Sequence, residues 1–210
     1  PFTLAAYLVE GGPSKDHLAA SALMHRDPIA WHELLHWLAR ISAEFLTLQI
    51  EAGASAAQLF DSWAGALSPD DYRHSALPAS RHVLENVRAI ALPEAVGFDA
   101  IPTIHFGVGT GELLADMASV AGDAIGVDYR VPLDEAIRRI GADLTVQGNL
   151  DPAMLFADRD ARTHAVHRIL HQALSARAHV FNLGHGVPQD ADPDVLTDLV
   201  QTVHDWRPDA

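Results

Sequence analysis

Short apolar runs alternate along the chain with longer stretches whose apolar residues recur at helical spacing. Strands are predicted near Phe2–Leu8, Ala57–Asp61, Ile101–Phe106, Ala124–Asp128, Leu144–Gly148 and His179–Leu183, and helices near Pro28–Ala52, Ala79–Leu92, Gly111–Ala121, Leu133–Ile140, Arg159–Arg177 and Asp194–Asp205. Serial strand–helix repetition points to a parallel sheet covered by helices. Asp151-Pro152 and Asp192-Pro193 each place a capping carboxylate before a helix-compatible proline, and Val131-Pro132 breaks the chain ahead of another helix. Six such units suit an open doubly wound sheet or most of a (β/α)₈ barrel, which takes about 250 residues when closed. With no repeat or linker visible, residues 1–210 are expected to form part of one domain.

In a parallel α/β architecture the carboxyl ends of the strands carry function. Those ends read Tyr7 before Glu10-Gly11-Gly12, Asp61-Ser62-Trp63-Ala64-Gly65, Gly107-Val108-Gly109-Thr110-Gly111, Asp128-Tyr129, Gln147-Gly148-Asn149-Leu150-Asp151 and Asn182-Leu183-Gly184-His185-Gly186. Polar side chains beside glycines recur at each, where glycine permits sharp turns and close approach of a ligand. His185, between two glycines, is expected to be exposed, either donating to a substrate carboxylate or satisfied by a backbone carbonyl. Ser62 is a substrate donor or an N-cap; with no Gly-x-Ser-x-Gly elbow, nucleophilic serine chemistry is rejected. The loop at 107–111 lacks the Lys-Ser/Thr ending of a phosphate loop and the third glycine of a dinucleotide fingerprint, so a nucleotide is not expected.

Charge and composition narrow the classes. Fourteen basic against twenty-eight acidic side chains give a formal charge of −14, which disfavours nucleic acid and anionic membranes as partners. Half of the chain is apolar (49%), yet no apolar run approaches the ~20 residues of a membrane-spanning helix. The absence of cysteine removes disulfides and thiolate metal sites. A cytoplasmic enzyme is the expectation.

One motif competes. His32-Glu33-Leu34-Leu35-His36 matches the HExxH pattern of zinc metalloproteases, with two imidazoles on one helix face and Glu33 as general base. At ~100° per residue, however, Leu34, Leu38, Ile41, Phe45 and Leu48 form the apolar stripe. His32 and His36 then fall on the outer face with Ala39 and Ala43. Ser42 stands where the longer zinc pattern needs a third histidine. His164, His167 and His171 are likewise read as a solvated face.

Taken in order, the strand ends resemble those of the uroporphyrinogen decarboxylase family. Tyr7-Leu8-Val9-Glu10-Gly11-Gly12 resembles its Y-x-V-E-G-G stretch and Gln58-Leu59-Phe60-Asp61-Ser62-Trp63-Ala64-Gly65 its Q-L-F-[ED]-S-x-A-G motif. Gly126-Val127-Asp128-Tyr129, Val146-Gln147-Gly148-Asn149-Leu150-Asp151-Pro152 and Asn182-Leu183-Gly184-His185-Gly186 match its G-[LV]-D-W/Y, Q-G-N-L-D-P and N-L-G-H-G segments. The resemblance implies the C-terminal part of a (β/α)₈ TIM barrel, incomplete here at about six βα units. It also implies a homodimer without cofactor or metal, removing the acetate carboxyls of uroporphyrinogen III to give coproporphyrinogen III in porphyrin and heme synthesis. Tyr7, Ser62 and His185 are the matching substrate-binding positions. The family's R-Q-A-G-R motif and the aspartate that faces the pyrrole nitrogens have no counterpart here. The catalytic acid is therefore expected upstream, and the chain alone is expected to be inactive. The alternative within the superfamily, a zinc- and corrinoid-dependent methyltransferase, uses a His-x-Cys site where this chain has His105-Phe106-Gly107.

Overall fold

The computed structural model describes residues 1–12, 14–90 and 99–208. Its elements are α1 (Phe2–Glu10), α2 (Leu18–Arg26), α3 (Pro28–Glu51), β1 (Ala57–Phe60), α4 (Pro69–Ser75), α5 (Leu77–Arg88), β2 (Thr103–Phe106), α6 (Leu114–Ala121), β3 (Ala124–Gly126), α7 (Leu133–Ile140), β4 (Thr145–Gln147), α8 (Arg159–Gln172), β5 (Ala178–Val180) and α9 (Pro193–Asp205). The strands follow one another in the order β1-β2-β3-β4-β5. Parallel pairing with serial helices is the α/β arrangement expected of a (β/α)-barrel. Five strands are present among the described residues rather than six. The chain forms two compact units, Pro1–Ala124 and Ile125–Ala210.

The missing sixth strand is the first element. Phe2–Leu8 is helical, and α1 runs to Glu10. Phe2, Ala5 and Ala6 are its buried positions, a helical spacing that a short, almost wholly apolar run conceals. Pro1 offers no side-chain cap. The first turn is instead capped by Asp61, which accepts from the Phe2 N–H (3.2 Å) and the Thr3 N–H (2.8 Å). Gly11, at φ 71°, ends the helix, and its N–H returns to the Tyr7 carbonyl.

In this first unit β1 pairs in parallel with β2, Ala57 opposite Thr103 and Phe60 opposite Phe106. Phe2, Trp31, Tyr72, Leu84 and Met117 are among its fully buried side chains. The long helix α3 begins at Pro28 with Asp27 accepting from the Ala30 N–H, and it packs on α5. Its buried positions are Trp31, Leu35, Leu38, Ala39, Ala43 and Ile50. That overturns the expected stripe: Ile41 is exposed, and Phe45 and Leu48 stand 65% and 62% exposed. The inward face combines the bulky Trp31, Leu35, Leu38 and Ile50 with Ala39 and Ala43, whose small side chains let a neighbouring helix approach closely. The C-terminal end of the predicted helix Ala79–Leu92 lies outside the described residues.

In the second unit β4 pairs in parallel with β5, Thr145 opposite Ala178 and Gln147 opposite Val180. The Val127 N–H, just past β3, donates to the Gln147 carbonyl. The helix α7 has the bounds read from sequence. The anticipated caps are also in place: Asp192 accepts from the Asp194 N–H and Asp151 from the Ala153 N–H.

Candidate functional site

Tyr7 does not end a strand; it stands in the second turn of α1, half-exposed. Its ring lies 4.1 Å from that of Trp63, whose other neighbour is the buried His17 ring at 4.4 Å, nearly parallel. His17 is held at φ 49° as the N-cap position of α2. A non-glycine residue in that conformation costs about 1 kcal/mol or more, which the aromatic stack and the Phe2 edge contact offset. Glu10 of the Y-x-V-E-G-G stretch is also explained: its carboxylate accepts from the Ala20 N–H in the first turn of α2.

Ser62 follows Asp61 at the carboxyl end of β1. It caps no helix, because Trp63 precedes the short 3-10 turn Ala64–Ala66. Asp61 is fully buried and was not among the predicted site residues. Besides the two α1 amides, it accepts from the Thr3 hydroxyl at 2.7 Å, and that hydroxyl accepts in turn from the Trp63 N–H at 3.1 Å. Asp61 and Thr3 thus fasten α1 to the loop that carries Ser62 and Trp63, and Trp63 meets Tyr7. Gly65 of the same motif lies so close to the next loop that a Cβ would sit 2.2 Å from the Val108 carbonyl oxygen. Gly107 is confined as well, since a Cβ there would sit 2.6 Å from the Thr110 methyl and 3.0 Å from the Asp61 carbonyl oxygen. Near Asp61, His105 is buried with Nδ1 3.5 Å from the Met117 carbonyl. Burial pushes its pKa down to about 4, against the pull of the Asp61 carboxylate.

His32, Glu33 and His36 of the HExxH match are exposed, and the His36 ring lies 5.1 Å from that of His82 on α5. Among the described residues no group of three histidine, aspartate or glutamate side chains is arranged to hold a metal ion. His164, His167 and His171 are exposed on α8.

In the second unit, His185 is exposed. Its Nδ1 accepts from the Gly186 N–H at 2.6 Å, which places the proton of a neutral imidazole on Nε2 and makes that atom a donor. The loop is tied to the Q-G-N-L-D-P segment, with Leu150 N–H donating to the Asn182 carbonyl (3.0 Å) and Gly184 N–H to that of Leu150 (2.8 Å). Gly148 must be glycine: φ is 131° and a Cβ would sit 2.5 Å from the Val127 carbonyl oxygen. Asn149, also missed from sequence, is buried and donates through Nδ2 to the carbonyls of Asp128 (2.8 Å) and Val131 (2.6 Å). Only its place inside the loop motif could have signalled that role.

The family model for uroporphyrinogen decarboxylase (URO-D) matches residues 1–206. The uroporphyrinogen decarboxylase of Streptomyces coelicolor is 58% identical over 204 residues, covering 97% of this chain and 55% of the relative. That of Leifsonia xyli is 55% identical over 215 residues, covering 99% and 57%. The chain therefore spans about half the length of the curated relatives it matches. A solved methyltransferase from Methanosarcina mazei superposes with a TM-score of 0.74 over 89% of this chain and 52% of that one, at 17% identity, a likeness of fold alone. No helix among the described residues is long and apolar enough to cross a membrane. Matched along nearly its whole length by the family model and by relatives at 55–58% identity, the chain belongs to the uroporphyrinogen decarboxylase family.

Proposed function

We propose that this chain forms part of an enzyme that removes carbon dioxide from the four acetate arms of uroporphyrinogen III to give coproporphyrinogen III, without a cofactor. The observation that carries the reading is the family match from residue 1 to residue 206. In such chemistry the pyrrole ring takes a proton and becomes the electron sink for the departing carboxylate. The protein's work is then electrostatic: orienting many carboxylates and stabilising a developing cation. Tyr7 and Ser62 hydrogen-bond the substrate, and His185 donates Nε2–H to a carboxylate. The fixed tautomer of His185 and the clamped ring of Tyr7 support those roles. The acid that protonates the ring belongs to a part of the protein outside these 210 residues. We further assign residues 1–210 to a single barrel domain acting as a cytoplasmic homodimer.

The test is anaerobic incubation with uroporphyrinogen III, with the products oxidised and separated by chromatography. The chain alone is expected to yield no coproporphyrinogen, and conversion is expected once the complementary half of a relative is supplied in trans. Conversion by the chain alone would overturn the assignment of the proton donor elsewhere. Stoichiometric zinc uptake with no tetrapyrrole binding would reverse the choice in favour of a methyltransferase.

A further inference from the structure

Arg130 follows the G-V-D-Y segment beyond the carboxyl end of β3. Its surroundings are built with care. Asp128, whose side chain is 1% exposed, accepts from the Arg130 backbone N–H at 2.9 Å and from Nη1 at 2.8 Å. The guanidinium carbon sits 4.5 Å over the Tyr129 ring. Asn149 clamps the segment from below, holding the carbonyls of Asp128 and Val131. The outcome is a guanidinium held on one side by Asp128 and over the Tyr129 ring, on a side chain that is 49% exposed.

The same segment touches the His185 loop. Gly184 lies so close to Tyr129 that a Cβ would sit 2.3 Å from its backbone nitrogen, and His185 and Arg130 are the residues that follow these two in the chain. A guanidinium has five N–H donors in a planar fork, and Asp128 takes one end of it. A second carboxylate can be held by the remaining edge, as carboxylates and arginine pair bidentately.

We propose that Arg130 is a substrate-binding residue that holds a carboxylate of the tetrapyrrole beside the one received by His185. The inference rests on the tetrapyrrole reading above and adds a residue to its site. Every ring of uroporphyrin carries an acetate and a propionate, so such a substrate brings several anionic arms to the strand ends.

The experiment measures binding of uroporphyrin III, coproporphyrin III and the neutral uroporphyrin methyl ester by fluorescence quenching. Arg130→Gln is expected to weaken uroporphyrin III about tenfold, the cost of one charge-assisted contact, Arg130→Lys less, and neither to affect the ester. A parallel loss for coproporphyrin III identifies a propionate as the partner, and a loss for uroporphyrin III alone identifies an acetate. Because Arg130→Gln removes the guanidinium from the buried Asp128 carboxylate, the double variant Asp128→Asn/Arg130→Gln is measured too and should show the same loss. Unchanged affinity in the double variant, with His185→Asn still weakening binding, overturns the role of Arg130 and leaves the tetrapyrrole reading standing. Failure of the unsubstituted protein to bind any of the anionic porphyrins overturns both.

Discussion

Thr3→Val isolates the polar link between α1 and the β1 loop. Valine keeps the shape of threonine, so the packing around Phe2 and Trp31 is preserved while the hydroxyl is lost. That hydroxyl donates to the buried Asp61 carboxylate at 2.7 Å and accepts from the Trp63 N–H at 3.1 Å. A hydrogen bond to a charged group contributes ~1.5–3 kcal/mol, and leaving the Trp63 N–H without its acceptor costs ~1–3 kcal/mol when water is excluded. Thr3 is only partly buried, so some of the second cost is recovered by solvent. The net expectation is a loss of about 2–4 kcal/mol from the first unit. Thr3→Ser keeps both hydrogen bonds and loses one methyl, about 0.8 kcal/mol. Urea unfolding followed by tryptophan emission suits the test, because Trp31, Trp37 and Trp63 lie in the first unit and only Trp206 in the second. At a slope of ~2 kcal/mol/M the valine variant should unfold at least ~1 M earlier than the parent. The emission of Trp63 should also change as Tyr7 leaves its face. A midpoint for Thr3→Val within ~0.25 M of that for Thr3→Ser would refute the reasoning, since methyl burial would then account for both.

Three other outcomes are expected. Gly184→Ala should weaken porphyrin binding and lower the melting temperature, because its Cβ would press on the Tyr129 backbone, whereas Gly186→Ala, with open space around it, should do neither; equal effects in a thermal scan and binding titration would refute the contact. His105 has a folded pKa of about 4 against an ordinary 6.5, so the unfolded state binds more protons between these values; stability contributed by the neutral ring is full above pH 6.5 and is lost as pH falls toward 4. His105→Asn should flatten the urea midpoint across that window, and an unchanged pH profile would count against it. Finally, the outward residues Trp37, Ile41, Phe45 and Leu48 of α3 form an apolar surface of the kind that drives association, so Phe45→Glu should reduce concentration-dependent self-association in sedimentation. Identical sedimentation with and without the substitution would refute that reading.

What could be read from sequence was what is encoded locally. The bounds of α7 follow from Pro132 before it, Gly141 after it and a strict apolar period between them. Asp151 and Asp192 announce their caps through the proline that follows. The helix α1 failed that test because its capping carboxylate comes from Asp61, far away in sequence, and no local residue marks its start. The face of α3 does not follow bulk alone, since Ala39 and Ala43 are buried beside Trp31, Leu35 and Leu38 while Phe45 and Leu48 stand exposed. At the candidate site, the exposure of His185 followed from its flanking glycines. The structural work of Asp61 and Thr3 depends on partners that meet only in the folded chain, and that of Asn149 is marked by its loop motif alone.

The hydrogen bonds that join Leu150 to Asn182 and Gly184 have a consequence for how the family varies. The segments Gln147–Asp151 and Asn182–Gly186 lie about thirty residues apart in the chain yet share one ladder, reinforced where His179 Nε2 meets the Gly148 carbonyl at 2.6 Å. They are a single heritable character written in two places. Substitutions in one should show strong epistasis with substitutions in the other, whereas changes in α9 should combine with either additively. Transplanting one loop alone from a relative would import half of a hydrogen-bonded pair. Exchanging both together moves the character whole.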